Sequence, residues 1–222
     1  MGAKVEEIVN RVIYLTNDPD GDAYPRSSIE DFIHEAETHI VNAKPEALNN
    51  IGVLVCVDGA RQLISSQFTA AVNFLDAHCN VDVSGNALGA VRRVQMRDLD
   101  AIRPNWRQAA RTTAIREFMV DDREPLALHV NPPASAGARL QISYSSKPAP
   151  YGNVDANTQT AVDELYLPMI MDWVMYRMLA KDAEGTPNFT KSQAYKKSFY
   201  DSLGIKEAGK EKAGPKNPEH KS

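Results

Sequence analysis

The sequence predicts an α+β fold: a helical bundle formed by N- and C-terminal helices, an antiparallel β-rich insert between them, and an extended C-terminal arm. Three observations predict it. Apolar residues recur at helical spacing near both ends of the chain. The middle carries short β-branched runs divided by Gly, Pro, Asn and Asp. The last nineteen residues, Gly204 to Ser222, hold five lysines and three glutamates and almost no apolar side chain. Such a segment cannot offset the entropy of folding alone, so it is expected to order only on a partner. These boundaries put the bundle at 1–50 and 158–203, the insert at 51–157 and the arm at 204–222.

The bundle is expected to centre on a helix–turn–helix from Leu165 to Leu203. From Leu165 to Ala180 only Asp172 and Arg177 are charged, and apolar residues fill two faces. A helix apolar most of the way round is buried by neighbours. Pro168 favours a start near Leu167, because proline is tolerated only in the first turn. The helix should run to about Glu184 before Gly185 and Pro187 break it. A second helix is expected from an Asn188 or Thr190 cap to Gly204, burying Ala194, Tyr195, Phe199 and Leu203, with Ile205 folding back on it.

At the other end, Val5, Ile8, Val9, Val12 and Ile13 form one stripe and predict a helix over residues 3–15. Asp18, Asp20 and Asp22 alternate like the start of a calcium loop. However, Gly21 falls between the second and third acids, and Ile29 stands where the twelfth-position acid belongs. An acidic turn is the better reading. Ser27 or Ser28 should cap the next helix, with Ile29, Phe32, Ile33, Ala36 and Ile40 inward and Glu35 and Glu37 as surface charge. Pro45 ends it. The run VLVCV, the Asp58-Gly59 pair and ARQLI predict a β-hairpin. Residues 68–77 fit strand or short helix, VRRVQM fits a strand, and RDLDAIRPNW one or two helical turns. IREFMV, PLALHV and ARLQISYS, divided by DDRE and NPPASAG, predict an antiparallel meander.

Composition narrows the function. Net charge is −4, which gives no global attraction to nucleic acid. Cys56 and Cys79 make no disulfide framework and no CxxC pair, and read as free thiols. No stretch has the length of a membrane span, and the first residues lack the apolar core of a signal peptide. Synthesis in a cytoplasm follows as the expectation. GxSxG, GxxxxGK[ST], GxGxxG and HExxH are absent. No catalytic, cofactor-binding or metal residues are expected. The informative charges are Asp172 and Arg177 inside the apolar helix, read as a buried or inter-subunit ion pair. The central arginines Arg92, Arg93, Arg97, Arg103, Arg107, Arg111 and Arg116 surround Trp106. An acidic protein neighbour is favoured over nucleic acid for them, because stacking aromatics are not clustered there.

Four pieces of the chain, in order, resemble one family. They are SSIEDFIHEAETHIVNAKPEA with Lys44-Pro45; VLVCVDGARQLI with its Gly-x-x-Gln turn from Gly59 to Gln62; RDLDAIRPNW followed by EPLALHVNPPASAGARLQISYSSKPAP with its double proline; and MDWVMYRMLAKDAEGTPNFTKSQAYKKSFYDSLGIK, in which Lys181 to Glu184 is the most distinctive run. Together they resemble the head-to-tail adaptor, or connector, proteins of short-tailed phages. One departure is LALHV before the double proline, where the family often carries aromatic residues. The resemblance implies a structural virion protein with no enzymatic activity. It implies a homo-oligomer, a twelve-subunit ring beneath the portal protein, that continues the DNA channel and carries the tail nozzle protein and fibres. The arm, with Ile205, Lys206, Lys210, Lys212 and Lys216, would bind portal. Asp172, Arg177, Arg92, Arg93, Arg107 and Arg111 would lie between subunits. The alternative is a DNA-binding or packaging accessory protein using the central arginines.

Overall fold

The computed structural model describes residues 1–21, 23–181 and 186–204. Asp22, residues 182–185 and the arm residues Ile205, Lys206, Lys210, Lys212 and Lys216 lie outside them. The fold is α+β, with five α-helices and two four-stranded sheets among the described residues. The chain divides into two compact units, one of residues 1–37 with the chain from Pro150 onward, the other Thr38–Ala149.

In the helical unit, α1 (Val5–Thr16) buries Val5, Ile8, Val9 and Val12. It stops where Asn17 turns left-handed (φ 53°) and donates to the carbonyls of Ile13 and Tyr14. The chain just before it lies so close to Thr160 that a Cβ on Gly2 would sit 2.1 Å from that residue's carbonyl oxygen. Helix α2 spans Arg26–Ala43. It opens one to two residues before the expected caps, so Ser27 and Ser28 lie within its first turn. The preceding loop is tied instead by the Asp18 carboxylate, which accepts the Tyr24 N–H at 2.9 Å.

Helix α4 (Leu167–Leu179) starts at the expected residue with Pro168 in its first turn, and ends before Glu184 is reached. It buries Ile170, Met171, Trp173, Val174, Met175 and Met178. Helix α5 (Pro187–Leu203) is capped by Thr186, whose hydroxyl accepts the Phe189 N–H at 3.2 Å, and not by Asn188 or Thr190. Pro187 therefore occupies the first helical position, where its missing N–H costs nothing. The inward stripe is Ser192, Phe199 and Leu203, while Ala194 is exposed and Tyr195 half-buried. Gly204 closes the helix at φ 76°, as expected.

The strand unit builds its own core. One sheet has the order β1-β8-β3-β4 and the other β2-β7-β6-β5. The strands are β1 (Asn49–Val55), β2 (Gly59–Leu63), β3 (Ala71–Val81), β4 (Ala87–Ala90), β5 (Arg92–Arg93), β6 (Glu117–Met119), β7 (Ala127–Ala134) and β8 (Arg139–Ser146). Helix α3 (Met96–Ile102) lies between β5 and β6 in sequence. Leu54, Ile64, Phe74, Phe118, Leu128, Val130, Leu140 and Ile142 form one buried cluster. The undecided stretch after Phe68 is β3 from Ala71 on. The VRRVQM strand shrinks to Arg92–Arg93 and pairs in parallel with β6.

Two expected strand pairings do not occur. β1 and β2 are not a hairpin: β1 pairs with β8 from Asn49↔Ser145 to Val55↔Arg139, while β2 pairs with β7 in the other sheet. Likewise β6 and β7 pair antiparallel, but β8 leaves for the first sheet, so the meander is broken. Asn131 to Ala134 also belong to β7 and not to a turn. At the first crossing, Gly59 takes φ 119°, and the buried Gln62 amide does what a ladder would otherwise do. It accepts from the Val57 N–H (2.8 Å) and donates to the carbonyls of Val57 and Gly59 (2.9 Å each). The Gly-x-x-Gln spacing is thus a corner between sheets. Gln62→Ala removes all three bonds and should destabilise the strand unit by roughly 2–3 kcal/mol. Urea unfolding measures it, and a loss under about 1 kcal/mol would mean that the corner holds without the amide.

Candidate functional site

All seven central arginines are exposed on the strand unit. Four already have carboxylate partners. Arg92 pairs with Glu117, Arg97 with Asp98 (3.9 Å), Arg107 with Asp100 (2.6 Å) and Arg111 with Asp58 (3.0 Å). Among the described residues no ion pair is made by Arg93, Arg103 or Arg116. Trp106 sits inside the arginine segment but is buried, so its ring offers no stacking face. Its indole N–H donates to Asp100 at 2.8 Å, and the Arg107 guanidinium lies 4.4 Å from the ring centroid. Asp100 is held below the usual carboxylate range first by its hydrogen bond from Arg107, then by that from Trp106. Glu117 is lowered chiefly by its bond from Arg92, and it also accepts from Asn131 at 2.7 Å. His129, edge-on to Trp106, is pushed down by burial and then by Arg107.

In the helical unit Asp172 and Arg177 do not pair with each other. Arg177 bonds Glu35 on α2 at 2.9 Å, with the two side chains 39% and 34% exposed. A pair this wet contributes at most about 1 kcal/mol. Glu35 also accepts from the Trp173 indole (3.2 Å), and Arg177 stands 5.2 Å from the Phe32 ring. Asp172 instead accepts from the Ser198 hydroxyl on α5 at 2.6 Å. Residues five apart on a helix point to different faces, which separates the two charges.

Glu37 overturns the surface reading more sharply. Its side chain is fully buried, and both oxygens are used: the Tyr151 hydroxyl donates at 2.9 Å and the Ala161 N–H at 2.5 Å. Burial pushes its carboxyl above the usual range, against the lowering effect of those bonds. Burial and the adjacent carboxylate push the Tyr151 phenol upward as well. Glu37 continues the row of Ile33 and Ile40 at i+4 and i+7, so its inward position was readable from spacing. Tyr151, in an irregular segment, carried no such signal.

The remaining chemistry is sparse. Buried Cys56 has its thiol pushed up to about 12 by burial, so it is inert at neutral pH. Among the described residues no cluster of three His, Cys, Asp or Glu side chains is placed to hold a metal. None of the described helices is long and apolar enough to cross a membrane. No curated protein matches the chain. The family model described as SU10 adaptor protein matches residues 3–218, nearly the whole length and both compact units. This chain therefore belongs to the SU10 adaptor family, and is a structural phage protein of the head-to-tail adaptor type, a component of the virion.

Proposed function

We propose that copies of this chain assemble into a ring, expected to have twelve subunits, that joins the portal to the tail nozzle and fibres and continues the DNA channel. The observation that carries this reading is the family match over residues 3–218. The surface chemistry agrees with it. Arg93, Arg103 and Arg116 offer exposed positive charge, and a chain of net charge −4 offers acidic surface to receive it. In a heterologous ring two different faces of each subunit meet, so complementary patches on one chain suffice. Asp172, Arg177, Arg92, Arg93, Arg107 and Arg111 remain the candidates for that interface, Arg93 foremost because it has no intramolecular ion pair to break.

Within this reading α1, α2, α4 and α5 act as one bundle spanning 1–50 and 158–203, the insert at 51–157 supplies the ring's strand-built wall, and residues 204–222 bind portal through Ile205, Lys206, Lys210, Lys212 and Lys216. Deleting Gly204 to Ser222 should leave the circular dichroism spectrum unchanged and abolish co-sedimentation with portal. Retained binding would refute the arm. The DNA-binding alternative loses ground to the ion pairs, because four of the seven arginines would have to break one before neutralising phosphate.

A further inference from the structure

The turn between β3 and β4 is an apolar knob. From Val81 to Val91 the sequence VDVSGNALGAV has one charged side chain, Asp82. Val83 and Leu88 are 83% and 70% exposed, and β4, an edge strand, is exposed along its whole length. Natural edge strands are ordinarily guarded by charge, proline or cover. This one is instead only four residues long, with an irregular register to β3 at Asn80/Val81, so what it offers a partner is the apolar side chains of the turn and not a strand edge. The knob is also rigid. Asp82 accepts from the Ser84 N–H (2.8 Å), the Asn86 N–H (2.9 Å) and the Asn86 side-chain amide (2.8 Å), which fixes the turn before any partner arrives.

The helical unit carries a matching hole. A groove of about 320 Å³ opens between α1, α4 and α5, walled by Leu15, Leu167, Pro168, Met171, Met175 and Tyr195. Methionine walls adapt to the shape of an incoming apolar group. Arg11 stands on the rim, exposed and without an ion pair among the described residues. Asp172 borders it too, its carboxylate occupied by Ser198.

We propose that the Val83/Leu88 knob of one copy of this chain docks into the Leu15–Met175 groove of a second copy, with Asp82 placed against Arg11. Knob and groove, and the negative and positive groups beside them, lie on the same polypeptide. In a heterologous contact each copy gives its knob to one neighbour and its groove to another, which is the arrangement a ring requires. This inference rests on the ring reading and assigns the surfaces that close the ring.

The test is sedimentation velocity of the full chain over a concentration series, with portal present, for the wild type, Val83→Asp, Leu88→Asp and Arg11→Glu. All three positions are exposed, so thermal unfolding should stay at the wild-type midpoint. Each aspartate variant should raise the concentration for half-assembly on the order of tenfold or more, as loss of a central apolar anchor does, and Arg11→Glu several-fold. In a second measurement, Leu88→Cys combined with Leu15→Cys should give a ladder of disulfide-linked oligomers under mild oxidation, and neither single variant should. Wild-type-like assembly of both aspartate variants, or no ladder from rings that do form, would overturn the assigned surfaces alone. A wild type that never assembles would overturn the ring itself, and this contact with it.

Discussion

Trp173→Ala is expected to lower the stability of the helical unit by about 3–5 kcal/mol, the range for removing a large aromatic from a packed interior. Trp173 is nearly fully buried on α4. Its ring centroid lies 4.8 Å from that of Phe199 and 6.2 Å from that of Tyr200, both on α5, and 5.1 Å from that of Tyr176 on its own helix. The indole also reaches Glu35 on α2, so one side chain ties three helices. Truncation leaves a cavity where those rings converge and strips Glu35 of a donor. The residual Arg177–Glu35 pair is too exposed to compensate. Denaturant unfolding followed by far-ultraviolet circular dichroism measures the loss. A value below about 1 kcal/mol would show that α4 and α5 hold together without this anchor.

Glu37→Ala should be nearly as damaging, by about 3 kcal/mol, because it leaves the Tyr151 hydroxyl and the Ala161 N–H without their acceptor. Glu37→Gln should stay close to wild type, since one amide oxygen still serves Ala161 and the hydroxyl can turn to accept from the amide nitrogen. The pH dependence separates the two forms. Folding raises the Glu37 pKa above its ordinary 4.5, so between that value and the higher folded one the folded state binds more protons than the unfolded. Stability contributed by this group is then full below 4.5 and falls as pH rises through the folded pKa. Asp100 and Glu117 work in the opposite sense. Their lowered pKa values give stability that is present at neutral pH and is lost on acidification below the ordinary carboxylate range. Stability of the wild type relative to Glu37→Gln should therefore decline as pH is raised above 4.5. Parallel profiles for the two proteins would show that the buried carboxyl titrates as if in water.

Much of the fold follows from rules that act over a few residues. The stripe of Val5, Ile8, Val9 and Val12 makes α1, Pro168 sets the start of α4, and Gly204 ends α5 because only a residue without a Cβ turns left-handed there at no steric expense. Even the Thr186 cap had a local signal. Thr-Pro is how a helix starts, although Pro187 read more readily as the end of the helix before it. The family was also legible, in four ordered pieces of sequence that the match over residues 3–218 supports.

Partner choice between distant segments was not legible. Asp58-Gly59 satisfies the turn chemistry of a hairpin, yet β1 and β2 part because β8 offers β1 an unbroken seven-residue register and the Gln62 amide closes the corner that remains. Register is settled by whichever strand covers the other's backbone and buries its face, and nothing within ten residues reports that. The charges follow the same logic. Arg177 chose Glu35, more than a hundred residues away, over Asp172 on its own helix, and Glu37 became an interior carboxylate only when Tyr151 and Ala161 closed over it. Short-range chemistry was written in the order of residues. Which groups meet across the chain was decided when folding removed water from one set of surfaces and left another exposed.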